Sequence, residues 1–289
     1  MREHVLESSP SLLSTLWRAW ATRHKRPGPV NELEPVVWSM PRVGVSAQRV
    51  ARYRDVCGFG HGLEVPLTYP QLLTFPLVMA YLSSPECPWP AVGTVHLANF
   101  IEQREPLRVD DEVCVEMRTG ALRTHDKGQV FDLELSVLRD GEWVWRGTQS
   151  LLRRGVRYPV GSAYTSPVEE IPDLQRCAEF EARRDVGRLY ARVSGDYNPM
   201  HWSTLAARLL GFRRMIAHGL WTQARALACL PSSQPWPHAT LITEFRSPLL
   251  LPARASLWQA HRDHQWRFDV RDGHSDRLHV RALLTHSSS

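Results

Sequence analysis

A carboxylate, a carboxamide and an imidazole stand close together in Ser194-Gly195-Asp196-Tyr197-Asn198-Pro199-Met200-His201. An Asp and a His five residues apart can work as one acid–base unit that activates a water and delivers a proton, provided burial tunes both groups. Asn198 is a good helix N-cap and Pro199 suits the first helical position. The spacing therefore predicts a helix through Ala206, Ala207 and Leu210, stopped by Gly211. His201 then lies in its first turn and Asp196 in the preceding loop. A second stretch, Ile216-Ala217-His218-Gly219-Leu220-Trp221-Thr222, opens an apolar helix that runs through Leu227 and Leu230 to Pro231. Gly219 would sit at its N-terminus, where the backbone N–H is free and the helix dipole favours negative charge. With no Cβ, it also lets a ligand approach closely. That suits the oxygen of a thioester carbonyl becoming an enolate.

Other chemistries fit less well. Asp196 and His201 taken alone would read as a turn cap and a satisfied helix-start histidine; their company with Ala217-His218-Gly219 sets them apart. His218 is expected to brace the loop. Ser194 has no G-x-S-x-G elbow to expose it beside His201 and Asp196 as a nucleophile. Gly58-Phe59-Gly60-His61-Gly62 lacks the spacing of a dinucleotide loop. His261 and His264 have a possible metal spacing, but no third ligand accompanies them.

Two repeated units must position these residues. Tyr53, Val56 and Gly58 match Tyr190, Val193 and Gly195 at an offset of 137, and Pro106-Leu107 matches Pro248-Leu249 at 142, which suggests a duplication of about 140 residues. Each half ends in strand-like sequence. Val113, Val115 and Met117 alternate with polar neighbours, and Phe131, Leu133, Leu135 and Val137 continue the pattern up to a turn at Asp140-Gly141. Trp266, Phe268 and Val270, a turn at Asp272-Gly273, then Leu278 and Val280 repeat the scheme. Helix followed by antiparallel strands, twice, is an α+β plan. The expected divisions are an extension over 1–40, a first unit over 41–158, a Pro/Gly/Ser/Thr-rich linker over 159–172 and a second unit over 173–289.

The stretch from Tyr190 to His201, with Gly211-Phe212 and Ala217-His218-Gly219, resembles the MaoC-like family of hotdog-fold hydratases, which includes the R-specific enoyl-CoA hydratases. The close resemblance covers roughly 185–230. A weaker one extends through Phe245 to Leu249 and over Leu67 to Asn99. The resemblance implies a double hotdog: two antiparallel sheets, each wrapped around a long central helix. It implies reversible hydration of a trans-2-enoyl thioester to an R-3-hydroxyacyl thioester. Asp196 and His201 would be the catalytic pair, Asn198 would orient the water or the pair, and Gly219 would supply the oxyanion hydrogen bond. Ser194, Tyr197, His218, Arg213 and Arg214 are the substrate-binding candidates, the two arginines toward the phosphates of CoA or of a carrier protein's pantetheine arm. No metal and no cofactor is implied. The alternatives are a hotdog thioesterase and a non-catalytic acyl-thioester- or partner-binding protein.

The first unit departs from the pattern. Phe59 follows Gly58 where an aspartate is needed, no N-P-x-H follows, and Phe75-Pro76-Leu77 stands where A-H-G is expected. It is expected to be catalytically empty and to help shape the acyl pocket, with Leu72, Leu73, Phe75, Leu77 and Met79 available as lining or as plain core.

Composition bounds the rest. The 289 residues carry 43% hydrophobic and 22% charged residues, ordinary globular usage. Basic residues exceed acidic ones by 35 to 30, and only Lys25 and Lys127 are lysines, an arginine bias suited to bidentate phosphate or carboxylate contacts. The basic runs at 23–26, 153–154 and 213–214 have no aromatic interleaving, so they read as solvated faces and not as a nucleic-acid surface. Leu12, Leu13, Leu16, Trp17 and Trp20 suggest an amphipathic helix docked on the body. Val65 to Pro85 is charge-free and long enough to span a bilayer, but Pro66, Pro70, Pro76 and Pro85 interrupt it; it is expected to be buried core, with no integral membrane segment. Five cysteines without C-x-x-C spacing fit a reducing cytoplasm. Fatty acid metabolism is the implied setting, and a homodimer of such chains is compatible with it.

Overall fold

The structure, a computed structural model, describes residues 2–9, 21–25, 28, 30–62, 64–170, 172–231 and 236–287. The helix expected around Leu12 to Trp20 lies outside these residues. An unforeseen strand, β1 (Arg2–Val5), pairs in parallel with β2 (Val36–Gly44), which itself straddles the boundary expected at residue 40.

In the first half, α1 (Ala47–Cys57) is capped by the Ser46 hydroxyl and closed by Gly58 at φ 79°. Helix α2 (Pro70–Leu82) follows. Leu72, Leu73, Leu77, Val78 and Tyr81 are all buried, so the helix is apolar nearly all round. That explains its membrane-like sequence: it packs across β2 and two of the strands that follow. Among the described residues, no helix is long and apolar enough to cross a membrane. Strands β3 (Thr94–Gln103), β4 (Glu112–His125), β5 (Gly128–Arg139) and β6 (Glu142–Arg154) complete the half. Asp140 and Gly141 both take positive φ, 54° and 83°, at the β5–β6 turn, as a tight hairpin requires.

The linker is not a free tether. Its short strand β7 (Ser162–Ala163) pairs with β4. Tyr164 N–H donates to the Thr124 carbonyl at 2.8 Å, and the Ser166 hydroxyl donates to Glu244 at 2.6 Å. It straps the first half to the second.

The second half comprises β8 (Gln175–Ala182), α3 (Val186–Ser194), a 3₁₀ turn (Pro199–His201), α4 (Thr204–Leu209), α5 (Gly219–Ala228), β9 (Ala239–Phe245), β10 (Ala253–Arg262), β11 (Gln265–Asp272) and β12 (Leu278–His286). The connection after Asp272 is five residues long, not a tight Asp-Gly turn. The helix expected from Pro199 to Leu210 is in fact two pieces. Ser203 is extended at φ −128°, and its hydroxyl accepts from Ala206 N–H, starting α4 afresh. Gly211 at φ 88° ends it.

The expected two sheets are one. The order β2-β4-β5-β6-β3-β9-β12-β11-β10-β8 continues across the halves, with β1 at one end and β7 attached to β4. Edge strands β3 and β9 pair antiparallel, Ala98 opposite Glu244 through Gln103 opposite Ala239. Phe100 faces Ile242 in that ladder. These two residues are 142 apart, the offset of Pro106 and Pro248, so the axis relating the halves passes between them. Pairing removes the open edge each sheet would otherwise expose. Beneath the joint, Asn99 exchanges hydrogen bonds with Gln71 of α2 and donates to Gln223 of α5, which donates to Thr243.

The basic run near residue 25 is not simply solvated: the Lys25 ammonium donates to the Ser84 and Cys87 carbonyls, each at 2.6 Å. Arg213 and Arg214 are exposed, on the loop between α4 and α5.

Candidate active site

Two packed helix ends aim the site. Helix α3 closes at Gly195, φ 82°, and its last turn releases the loop that carries Asp196. Helices α1 and α3 lie together, with Tyr53 and Tyr190 ring centroids 6.3 Å apart. Each half caps the other's helix: Arg49 donates to the Val193 carbonyl, while Trp221 and Arg225 donate to carbonyls of Val56, Cys57 and Gly58.

Hydrogen bonds fix the shape of the loop. Ser194 Oγ donates to the Tyr190 carbonyl at 2.8 Å and accepts from Asp196 N–H at 3.1 Å. Its hydroxyl is engaged in holding the loop. Asn198 Oδ1 accepts from Met200 N–H and caps the 3₁₀ turn. Asp196 Oδ1 accepts from the Asn198 backbone N–H at 3.1 Å, so the main chain of Asn198 orients the carboxylate. Tyr197 is half-buried, and its carbonyl accepts from the Trp202 indole.

Asp196, His201 and His218 come together. One donor atom of each lies within 4.8 Å of the others. The rings of His201 and His218 stack at 3.6 Å between centroids. His201 Nδ1 lies 2.9 Å from the Ile216 carbonyl. That oxygen can only accept, so Nδ1 carries the hydrogen and Nε2 keeps a lone pair. By the same reasoning His218 donates through Nε2 to the Asp196 carbonyl at 3.0 Å. Its Nε2 is also 3.8 Å from the carboxylate, so His218 ties down the loop. Both imidazoles are buried, 8% and 2% exposed. Burial holds the His201 pKa below the ordinary 6.5, against the opposing pull of Asp196 and the Ile216 carbonyl. Burial, then repulsion from His201, pushes His218 down to about 3. The pair is neutral, with Asp196 at its open side, 32% exposed. The same trio offers a carboxylate and two rings to a cation, but one nitrogen of each ring already faces a carbonyl.

Gly219 begins α5 with His218 at the N-cap. A Cβ on Gly219 would come within 3.0 Å of the Phe245 ring, so glycine here permits a tight wall beside a free N–H. The 142-residue offset puts Leu77 opposite Gly219, but the first half's helix α2 begins earlier, at Pro70. Proline has no N–H to offer. Leu72, Leu73 and Leu77 are core, whereas Phe75 and Met79 share a half-buried stripe of α2. Phe75 reaches the loop that carries Asp196, 3.6 Å from where a Cβ of Gly195 would lie.

Two participants were not foreseen. A Cβ on Gly187 would lie 1.8 Å from the His201 carbonyl oxygen, so only glycine lets the 3₁₀ turn rest on α3. A glycine inside a helical stretch was the available signal. The other is His96 of β3, whose ring lies 4.9 Å from Phe245. A cavity of about 470 Å³ lies elsewhere, under the linker between Tyr164, Arg123, Ser150 and Ile242.

Residues 165–235 match the MaoC like domain. The chain is 33% identical over 279 residues to 3-hydroxyacyl-thioester dehydratase X of Mycobacterium tuberculosis, covering 96% of this chain and 99% of that one. It is 25% identical over 183 residues to the peroxisomal enoyl-CoA hydratase 2 of Arabidopsis thaliana, covering 58% and 59%. The crystal structure of HtdX of M. tuberculosis superposes with a TM-score of 0.76 at 31% identity, covering 87% of this chain and all of that one.

Proposed function

The chain belongs to the MaoC-like family of hydratases and dehydratases, and from that premise we propose that it interconverts trans-2-enoyl and R-3-hydroxyacyl thioesters, as a cytoplasmic enzyme without metal or redox cofactor. The observation that carries this reading is the His201 tautomer in its setting: Ile216 holds Nδ1–H, which leaves Nε2 as the ring's acceptor in a cluster where His201, His218 and Asp196 lie within 4.8 Å of one another.

In the hydration direction, water oxygen bonds to C3 while the Asp196/His201 unit, with His201 Nε2 as the acceptor, takes one of its protons. The C2–C3 π pair moves toward the thioester, and the negative charge gathers on the carbonyl oxygen beside the Gly219 N–H. The same unit then returns the proton to C2. One water is consumed and the protein ends unchanged. Neutrality of both imidazoles favours this start, since a protonated His201 could not accept. Asn198 holds the carboxylate through its main chain. The acyl chain would run toward Phe75 and Met79, and the exposed Arg213 and Arg214 would meet phosphates of the CoA or carrier arm.

The test is loss of the enoyl thioester absorbance with a series of trans-2-enoyl-CoA substrates. Hydration that disappears in Asp196→Asn and His201→Gln, with the fold intact, is the expected result. Free thiol release without hydration would instead favour a thioesterase, and tight binding without turnover a binding protein.

A further inference from the structure

His96 belongs to the half without the motif, yet it faces the site. Strand β3 carries a β-bulge where the pairing with β6 slips: His96 lies opposite Leu151, and Ala98 opposite Ser150. Cross-strand partners share a face of the sheet. Leu151 is in the core under the helices. Ser150 bonds Asp132 beside the cavity beneath the linker. The bulge thus turns His96 toward the helix-bearing face, a re-aiming that bulges next to active sites commonly perform.

On that face its ring stands 4.9 Å from Phe245, the wall of Gly219. It is within electrostatic range of Asp196. Its Nε2 is shielded from solvent and has no hydrogen-bond partner. Such an unsatisfied buried nitrogen is costly in a resting protein and asks for an explanation. Burial also lowers its pKa to about 4, against the Ala98 backbone and Asp196, so the ring does not compete with Asp196 as a cation.

We propose that His96, supplied by the first half, is a substrate-binding residue of this site, and that in the complex its neutral ring carries the hydrogen on Nε2 and donates it to the carbonyl oxygen of the bound acyl thioester. The inference rests on the hydratase reading above. His96 lies on the Gly219 side of the pocket, so its bond would strengthen as the carbonyl oxygen gains charge.

The experiment is steady-state hydration of a trans-2-enoyl-CoA by the full chain, by His96→Phe, which keeps the ring but loses the donor, and by His96→Gln, which keeps an N–H. A hydrogen bond to a charged oxygen predicts about a ten- to hundredfold lower kcat/KM in His96→Phe, most of it in kcat. His96→Gln should recover most of the loss, at melting temperatures close to the parent's. A merely structural role would move the melting temperature and leave no rescue by glutamine. Should His96→Phe fail to fold, His96→Met against His96→Gln reads the same difference, and equal rates in that pair overturn the inference. A parent chain that hydrates and a His96→Phe within twofold of it overturn the His96 role alone. A parent that does not hydrate overturns the functional reading and this inference together.

Discussion

The halves share a plan and differ in what fills corresponding positions. Tyr53 and Tyr190 are 137 apart and both buried. Tyr53 has Thr68 as hydroxyl partner at 2.8 Å, whereas Tyr190 has none and lies 4.9 Å from the His218 ring. Val50 is buried where the second half has Gly187, the glycine on which the 3₁₀ turn rests. Phe59 stands at the place of Asp196 and packs on Tyr53. Helix α2 starts on Pro70, whereas α5 starts on Gly219. At each place the first half has an ordinary packing answer. The second half leaves a group unsatisfied, a contact tight or a charge half-exposed. That is how a functional site departs from local structural preference.

The largest test of this contrast is removal of the acid–base pair. Asp196→Asn or His201→Gln should lower hydration by about a thousandfold or more, while Phe59→Leu at the matching place should leave the rate within about twofold; equal losses would erase the distinction.

Next come the helix starts. Gly219→Ala pushes a Cβ against Phe245 and should reduce kcat by about ten- to a hundredfold by displacing the N–H from the oxyanion. Pro70→Ala restores an N–H at the start of α2 and should leave kcat unchanged.

Gly187→Ala sharpens the comparison through stability. The new Cβ meets the main chain of His201, an overpacking worth about 1–3 kcal/mol, read by urea unfolding. Val50→Ala, a loss of buried methyl groups, should cost about 1–3 kcal/mol as well, but with activity preserved in the molecules still folded.

The smallest effect is in pH. His201, His218 and His96 all have folded pKa values below the ordinary 6.5. Between the folded and unfolded values the unfolded chain binds more protons, so stability rises with pH in that window. It should be flat above about 6.5 and fall progressively on acidification toward 4 and 3. A melting temperature unchanged from pH 7 to pH 5 would contradict the buried neutral rings.

Much of this was legible because it is written in side-chain types. Alternation marked β4, β5 and β11, and Asp140-Gly141 marked a hairpin. The motif loop announced Asp196, Asn198 and His201 together. What was hidden depends on the main chain or on distant partners. Joining β3 to β9 uses backbone hydrogen bonds that leave no residue signature. Ser203 split a helix because its hydroxyl competed for a backbone N–H. His96 looked like an ordinary strand residue, since a bulge, not its type, decides which face it takes. Lys25 looked solvated because carbonyls 59 and 62 residues away are invisible to local reading.

The β3–β9 ladder has one more consequence. Were the halves separate identical subunits, their association would depend on concentration, and each substitution would occur on both sides of the axis. Carried by one chain, the second half meets the first at the high effective concentration set by the linker, whatever the dilution. One copy can then change without the other. Phe59 and Val50 on one side of the approximate twofold axis can therefore differ from Asp196 and Gly187 on the other, as they do.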